Sequence, residues 1–207
     1  INNGFIERQQ RKYPEAKLRL RTGVYKVEKD CDGASFAIDA ANYARRQIQD
    51  NSPETVCVYD KTMADLQNME NEIAIGLDKA IKNKEFKIYL QPRFSLTTGK
   101  IVGAESLVRW QREDGTILPP DSFIPVYEKN GRIIDLDFYM FEETVKLLAN
   151  WKEQGIPQRL ISINASALHA QNSDTVHRYT TILEKYGVDP ALIELELTET
   201  ATVSDYD

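Results

Sequence analysis

Cysteine is scarce: the 207 residues hold two, Cys31 and Cys57. They form no CxxC pattern and lie far apart in sequence, so neither a zinc site nor a disulfide framework is indicated, and both read as reduced thiols. No apolar run approaches the length of a spanning helix, and no cleavable leader is visible at Ile1. A soluble segment is expected. Low-complexity stretches, long like-charge blocks and repeats of fixed period are also missing, which argues against a disordered tail and against a solenoid. An excess of positive charge is missing too: 26 basic against 32 acidic side chains leave a net charge of −6. That disfavours a duplex-binding surface and still permits a small phosphate ligand held through a metal and one or two arginines. What is present, 42% hydrophobic and 28% charged residues, is the composition of an ordinary globular chain long enough for one large domain or two small ones.

The segment through Pro14 is polar and carries no clear pattern. From Leu18 to Val27 apolar and charged residues alternate, predicting a strand with one wet face. Phe36, Ala37, Ala40, Ala41, Ala44 and Ile48 then fall at helical spacing, and Thr55 to Tyr59 reads as a short strand. From Lys61 to about Lys84 the positions Met63, Leu66, Met69, Ile73, Leu77 and Ile81 recur every three or four residues, predicting one long connecting helix. Phe86, Ile88 and Leu90 alternate with polar residues. After the turn Thr97 to Lys100 a second strand runs from Ile101 to about Trp110, and so short a link makes the two strands antiparallel neighbours. Downstream, a helix from about Leu136 to Trp151, a strand Leu160–Ile163, a helix from Asp174 to Tyr186 and a strand Ile193–Thr198 predict parallel βα units. The third of these has the clearest ends, an Asp174 cap and a Gly187 stop.

Polar residues interrupt several strands or strand ends: Gln91-Pro92, the run Ala104 to Trp110, Asn164 within ISINAS, and Glu196 to Glu199. The carboxyl ends of strands build the sites of βα barrels, so carboxylates and amides there are expected to converge. Glu105 stands in an otherwise apolar strand, where a buried carboxylate needs a metal or a hydrogen-bonding partner to offset several kcal/mol of desolvation. In IELELT, Glu194, Glu196 and Thr198 share one face and the two leucines the other. Two carboxylates and an amide oxygen are hard donors that suit Mg²⁺ or Mn²⁺ better than zinc. Structural roles fit the same residues: Glu105 paired with a core arginine, Asn164 capping the turn after its strand, Glu194 and Glu199 as solvated ends, Arg109 covering apolar surface with its stem, and Trp110 in the core. Periodicity alone leaves both open.

The run YLQPRFSLTTGKIVGAESLVRW, followed by LPPDSFIPVYEKNGRI, ISINAS and IELELTET, resembles the opening half of the EAL family of bacterial cyclic di-GMP phosphodiesterases. The family's Glu-x-Leu triplet stands here as Glu105-Ser106-Leu107. The resemblance implies metal ligands Glu105, Asn164 and Glu196, with two Mg²⁺ or Mn²⁺ ions. It implies contacts to the dinucleotide from Gln91, Arg109 and Glu128, and makes Glu199 a weaker candidate than Glu196 for the metal ligand of its motif. It further implies hydrolysis of cyclic di-GMP to linear pGpG by the full-length protein or, where an essential group is lost, a receptor that binds without cutting. A cytoplasmic location, with any membrane anchor upstream, and a homodimer formed through the EAL domain also follow from it. The chain reaches Asp207 without the family's DDFG motif or its lysine, and neither Asp205 nor Asp207 stands in that context; the general base is therefore expected beyond Asp207 and the chain alone is expected to be inactive. LRLRTGVYKV, IDAANYARRQI and TVCVYD resemble the last strand, helix and strand of a GGDEF domain, although no Gly-Gly dipeptide occurs. The expected fold is α/β: part of a GGDEF-like domain over 1–60, a linking helix over 61–84, and over 85–207 a partial TIM-like (β/α) barrel that opens with an antiparallel hairpin.

Overall fold

The computed structural model describes residues 2–15, 19–27, 33–49 and 52–198. Leu18, Cys31, Glu199, Asp205 and Asp207 lie outside them. The chain divides into two compact units, Ile1–Glu72 and Ile73–Asp207.

In the first unit the polar opening segment is helical, α1 (Asn2–Lys12), with Arg11 and Lys12 in its last turn, where a cation complements the helix dipole. The expected strand, helix and strand are β1 (Thr22–Val24), α2 (Ala34–Arg46) and β2 (Val56–Val58), the first shorter than the alternation from Leu18 to Val27 predicted, since residues 19–21 and 25–27 lie outside it. β1 and β2 pair in parallel, and α2 buries Ala40, Tyr43 and Ala44. This is the minimal βαβ arrangement, in which the crossover helix covers one side of the pair.

The unit boundary falls within α3 (Lys61–Lys82), the predicted long helix. The second unit then builds β3 (Phe86–Phe94), β4 (Ile101–Gln111), the two-residue β5 (Ile117–Leu118), α4 (Pro120–Lys129), α5 (Ile133–Glu153), β6 (Leu160–Ser166), α6 (Thr175–Tyr186) and β7 (Ile193–Thr198). α4 falls in a segment with no clear helical signal in sequence, because Pro119, Pro120 and Pro125 obscure the period; Pro120 is tolerated in the first turn, where its missing N–H is not needed. Asp174 does not cap α6. It is itself helical, with φ −85° and ψ −7°, and its side chain makes no capping bond, whereas Gly187 stops the helix as expected at φ 62°.

The sheet order is β3-β4-β6-β7, with β5 on β4. β3 and β4 are antiparallel, and β4, β6 and β7 are mutually parallel neighbours. This is an open arc of α/β type and not a closed barrel. Pro92 sits in β3, which among the described residues pairs with β4 alone, as befits a residue with no N–H to donate. Gly103 lets β4 approach β6, for a Cβ there would lie 2.6 Å from the Leu160 carbonyl oxygen. One side of the sheet is covered by α5 and α6 through Phe138, Phe141, Val145, Leu148, Tyr179 and Leu183 against Ile161 and Ile163. A second core gathers Ile73, Leu77, Phe86, Trp110, Phe123 and Tyr127. There the Tyr127 hydroxyl donates to the Ile73 carbonyl at 3.0 Å and the Trp110 indole to Glu85 at 2.8 Å.

Candidate functional site

The side of the sheet opposite α5 and α6 is polar, and register explains its composition. Across the ladders Gln91 faces Glu105, Glu105 faces Ser162, and Ser162 faces Glu194. In-register neighbours point to the same side of a sheet, so these four residues form one row across four strands. Asn164 and Glu196, also in register, stand one step nearer the carboxyl ends of the parallel strands. The alternation in LISINAS and IELELT therefore turns Ile161, Ile163 and Ile193 toward the helices and Ser162, Asn164, Glu194 and Glu196 toward the other side, while Leu195 and Leu197, on the side of the isoleucines, stay exposed.

Glu105 is half-buried between buried neighbours Ala104 and Ser106, and its carboxylate accepts a 2.8 Å hydrogen bond from the Asn164 amide nitrogen. No core arginine fills that role. Nor does Asn164 cap the following turn, since the Ser166 hydroxyl accepts the Leu168 N–H at 3.3 Å. Arg93, which sequence reasoning did not single out, reaches across the row and donates through Nη1 to Glu194 at 2.9 Å and Glu196 at 3.4 Å. The hydrogen bond and charge of Glu194 first, and the charges of Glu196 and Glu105 after it, push the Arg93 guanidinium above its ordinary value. Alternation placed position 93 on this side, but nothing in the sequence showed that its side chain would span two strands.

Arg109 lies further along β4, donating to the Val108 carbonyl at 2.7 Å with its guanidinium 5.8 Å from the Tyr89 ring centre. Gln91 is exposed beside Glu105. Glu128 lies half-buried in the last turn of α4, and no hydrogen bond or ion pair among the described residues joins its carboxylate to Glu105, Asn164 or Glu196. Trp110 belongs to the core, 3% exposed. A cavity of about 280 Å³ adjoins the site, lined among others by Leu107, Pro120, Leu136, Asp137, Asn164 and Thr198.

The donor set fits a hard divalent cation: two carboxylates and an amide oxygen on adjacent strands, with the buried Ser162 hydroxyl beside them lacking a hydrogen-bond partner among the described residues. Among the described residues no three His, Cys, Asp or Glu side chains form a metal-holding group. Mg²⁺ prefers six oxygens, so these residues would furnish part of a coordination shell, with further ligands or water supplying the rest.

Comparison with protein families matches residues 76–207 to the EAL domain. Among curated proteins, the chain is 31% identical over 167 residues to the signaling protein YkoW of Bacillus subtilis, a match covering 81% of this chain and 20% of that protein. It is 29% identical over 148 residues to the cyclic di-GMP phosphodiesterase PA2567 of Pseudomonas aeruginosa, covering 71% of this chain and 25% of that one. Among solved structures, that described as the PaMucR phosphodiesterase in complex with c-di-GMP superposes with a TM-score of 0.58 at 25% identity, covering 65% of this chain and 54% of that one. The chain thus spans about a fifth to a quarter of the length of these curated relatives.

Proposed function

The chain belongs to the EAL domain family, and on that premise we propose that it supplies part of a cyclic di-GMP site at which the full-length protein hydrolyses the cyclic dinucleotide to linear pGpG. The observation that carries the reading is the Glu105–Asn164 hydrogen bond with Glu196 next in register on the same side of the sheet. Glu105, Asn164 and Glu196 would hold Mg²⁺ or Mn²⁺, ions that polarise a phosphoryl oxygen and lower the pKa of bound water. Arg109, at the far end of β4, would bind phosphate through charge-assisted hydrogen bonds in place of its present bond to Val108. Gln91 and Glu128 would contact the dinucleotide from either side. Residues 1–60 would be GGDEF-derived, the helix over 61–84 would transmit a signal between domains, and the EAL domain would dimerise in the cytoplasm. Among the described residues no helix is long and apolar enough to cross a membrane.

One observation favours a second reading, that of a receptor: Arg93 places a cation on Glu196 and Glu194, where a metal would compete for the same oxygens. The two readings separate in one experiment. In a protein carrying this chain and a whole EAL domain, cyclic di-GMP is incubated with Mn²⁺ and the products resolved by chromatography. The enzyme produces pGpG, and Glu105→Gln, which keeps size and removes charge, lowers its formation by orders of magnitude while circular dichroism is unchanged. Near-normal cleavage by Glu105→Gln removes Glu105 from the ligand set; tight binding with no product from the unsubstituted protein establishes the receptor.

A further inference from the structure

Asp137 is an acid buried in the first turns of α5, 9% exposed among Leu136, Phe138 and Met140. Burial of a carboxylate costs several kcal/mol unless its oxygens are engaged, so its partners indicate what it holds in place. One oxygen, Oδ2, accepts the Ser166 backbone N–H at 2.8 Å and lies 3.0 Å from Nε2 of His169. His169 stands in the 3₁₀ turn that follows β6 (Ala167–Gln171) and is 4% exposed. Its ring meets the edge of Phe138 at 4.9 Å between centres, the Tyr179 hydroxyl lies 3.3 Å from the same Nε2, and its carbonyl accepts from the Thr175 hydroxyl at 3.1 Å. Nδ1 is buried without a hydrogen-bond partner among the described residues. Because the carboxylate is an acceptor and already takes the Ser166 N–H, Nε2 is the ring nitrogen that donates to it.

The ladder between β4 and β6 runs from Gly103↔Leu160 only to Ser106↔Ile163. Beyond Ile163 the β6 backbone has lost its β4 neighbour on that side, and the Asp137 carboxylate takes over as acceptor at Ser166. Asn164 sits between those two anchor points. It also lines the same cavity as Asp137. We infer that Asp137, oriented by His169, is a positioning residue that fixes the end of β6 and thereby aims the Asn164 amide at Glu105. The functional consequence rests on the proposed metal site; the positioning itself does not.

The test uses this chain labelled with ¹⁵N. Asp137→Ala should move the Asn164 side-chain amide cross-peak, speed hydrogen exchange of the Ser166 amide tenfold or more, and weaken Mn²⁺ binding, followed by the electron spin resonance of free Mn²⁺, by about 10–100-fold. His169→Gln places an amide donor near the position of Nε2 and should leave all three near the parent values. Val145→Ala, in the same core but remote from the strand end, should lower the melting temperature without moving the Asn164 peak. If Asp137→Ala does not fold, Asp137→Asn retains one acceptor for two donors and should give a smaller change of the same kind. An unmoved Asn164 peak with unchanged Ser166 exchange in a folded Asp137 variant, or the same peak shift in Val145→Ala, overturns the inference. Absence of Mn²⁺ binding by the parent chain would fail the metal reading while the exchange and cross-peak data still decide the role of Asp137.

Discussion

The two sides of the β3-β4-β6-β7 sheet are made by the same strands and obey opposite rules. Toward α5 and α6, Ile161 and Ile163 are 0% and 2% exposed and pack in a continuous apolar cluster. Toward the other side, the alternate residues of the same strands carry carboxylates, an amide and a hydroxyl, with Ser162 buried and without a hydrogen-bond partner among the described residues. The first side stabilises the fold by removing apolar area from water, at about 25 cal/mol per Å². The second gathers like charges and desolvated polar atoms that contribute little to stability or oppose it. On the proposed reading that side serves ligand chemistry, and substitutions on the two sides should therefore separate stability from function.

The largest separation is expected from Asn164→Leu. In a protein with a whole EAL domain it should cut Mn²⁺-dependent cleavage by orders of magnitude, while the urea midpoint of this unit moves by no more than the loss of one hydrogen bond, about 1 kcal/mol. A large loss of stability with cleavage retained would break the comparison. Phe141→Ala, on the other side, should do the reverse. Phe141 is 1% exposed with its ring centre 4.5 Å from that of Tyr179, and its removal should cost about 3–5 kcal/mol by denaturant titration. Gly103→Ala tests the join between the sides: a Cβ directed 2.6 Å from the Leu160 carbonyl oxygen must push β4 from β6, at about 1–3 kcal/mol, with faster hydrogen exchange localised to that ladder. The smallest effect sits on the outer surface of the helices. Hydrogen bonding from Lys185 first, opposed by burial and aided by the Tyr186 hydroxyl, holds the Glu142 carboxyl below the usual range. A depressed folded pKa gives stabilisation that is complete above the unfolded value and lost as pH falls through the folded one. Glu142→Gln should therefore flatten the acid limb of the stability profile below about pH 4.5 and leave the slope near neutrality unaltered.

Legibility followed the period of the sequence. β3, β4, β6 and β7, with α5 and α6, announced themselves because one side of each is apolar at spacing 2 or 3.6; the two-residue β5 is too short to carry a period. The polar side was partly legible for the same reason: Glu105 and Asn164 broke otherwise apolar strands. α4 was not legible, since three prolines masked its period, and α1 was not, since its stretch is almost wholly polar. Asp174 has the chemistry of a cap but its backbone is helical, and only φ and ψ distinguish the two.

Composition and alternation by themselves determined the α/β class, the antiparallel opening hairpin and the order of the βα units, because these depend on neighbours in sequence and on which side of an element avoids water. The pairing of Asn164 with Glu105 across 59 positions, the span of Arg93 to Glu194 across 101, and the hold of Asp137 on Ser166 across 29 were decided by the tertiary structure alone. Each needs a strand register and a helix position that no local pattern encodes. A polar side chain has several possible partners until the backbone brings one within 3 Å, and desolvation then makes that one partner binding.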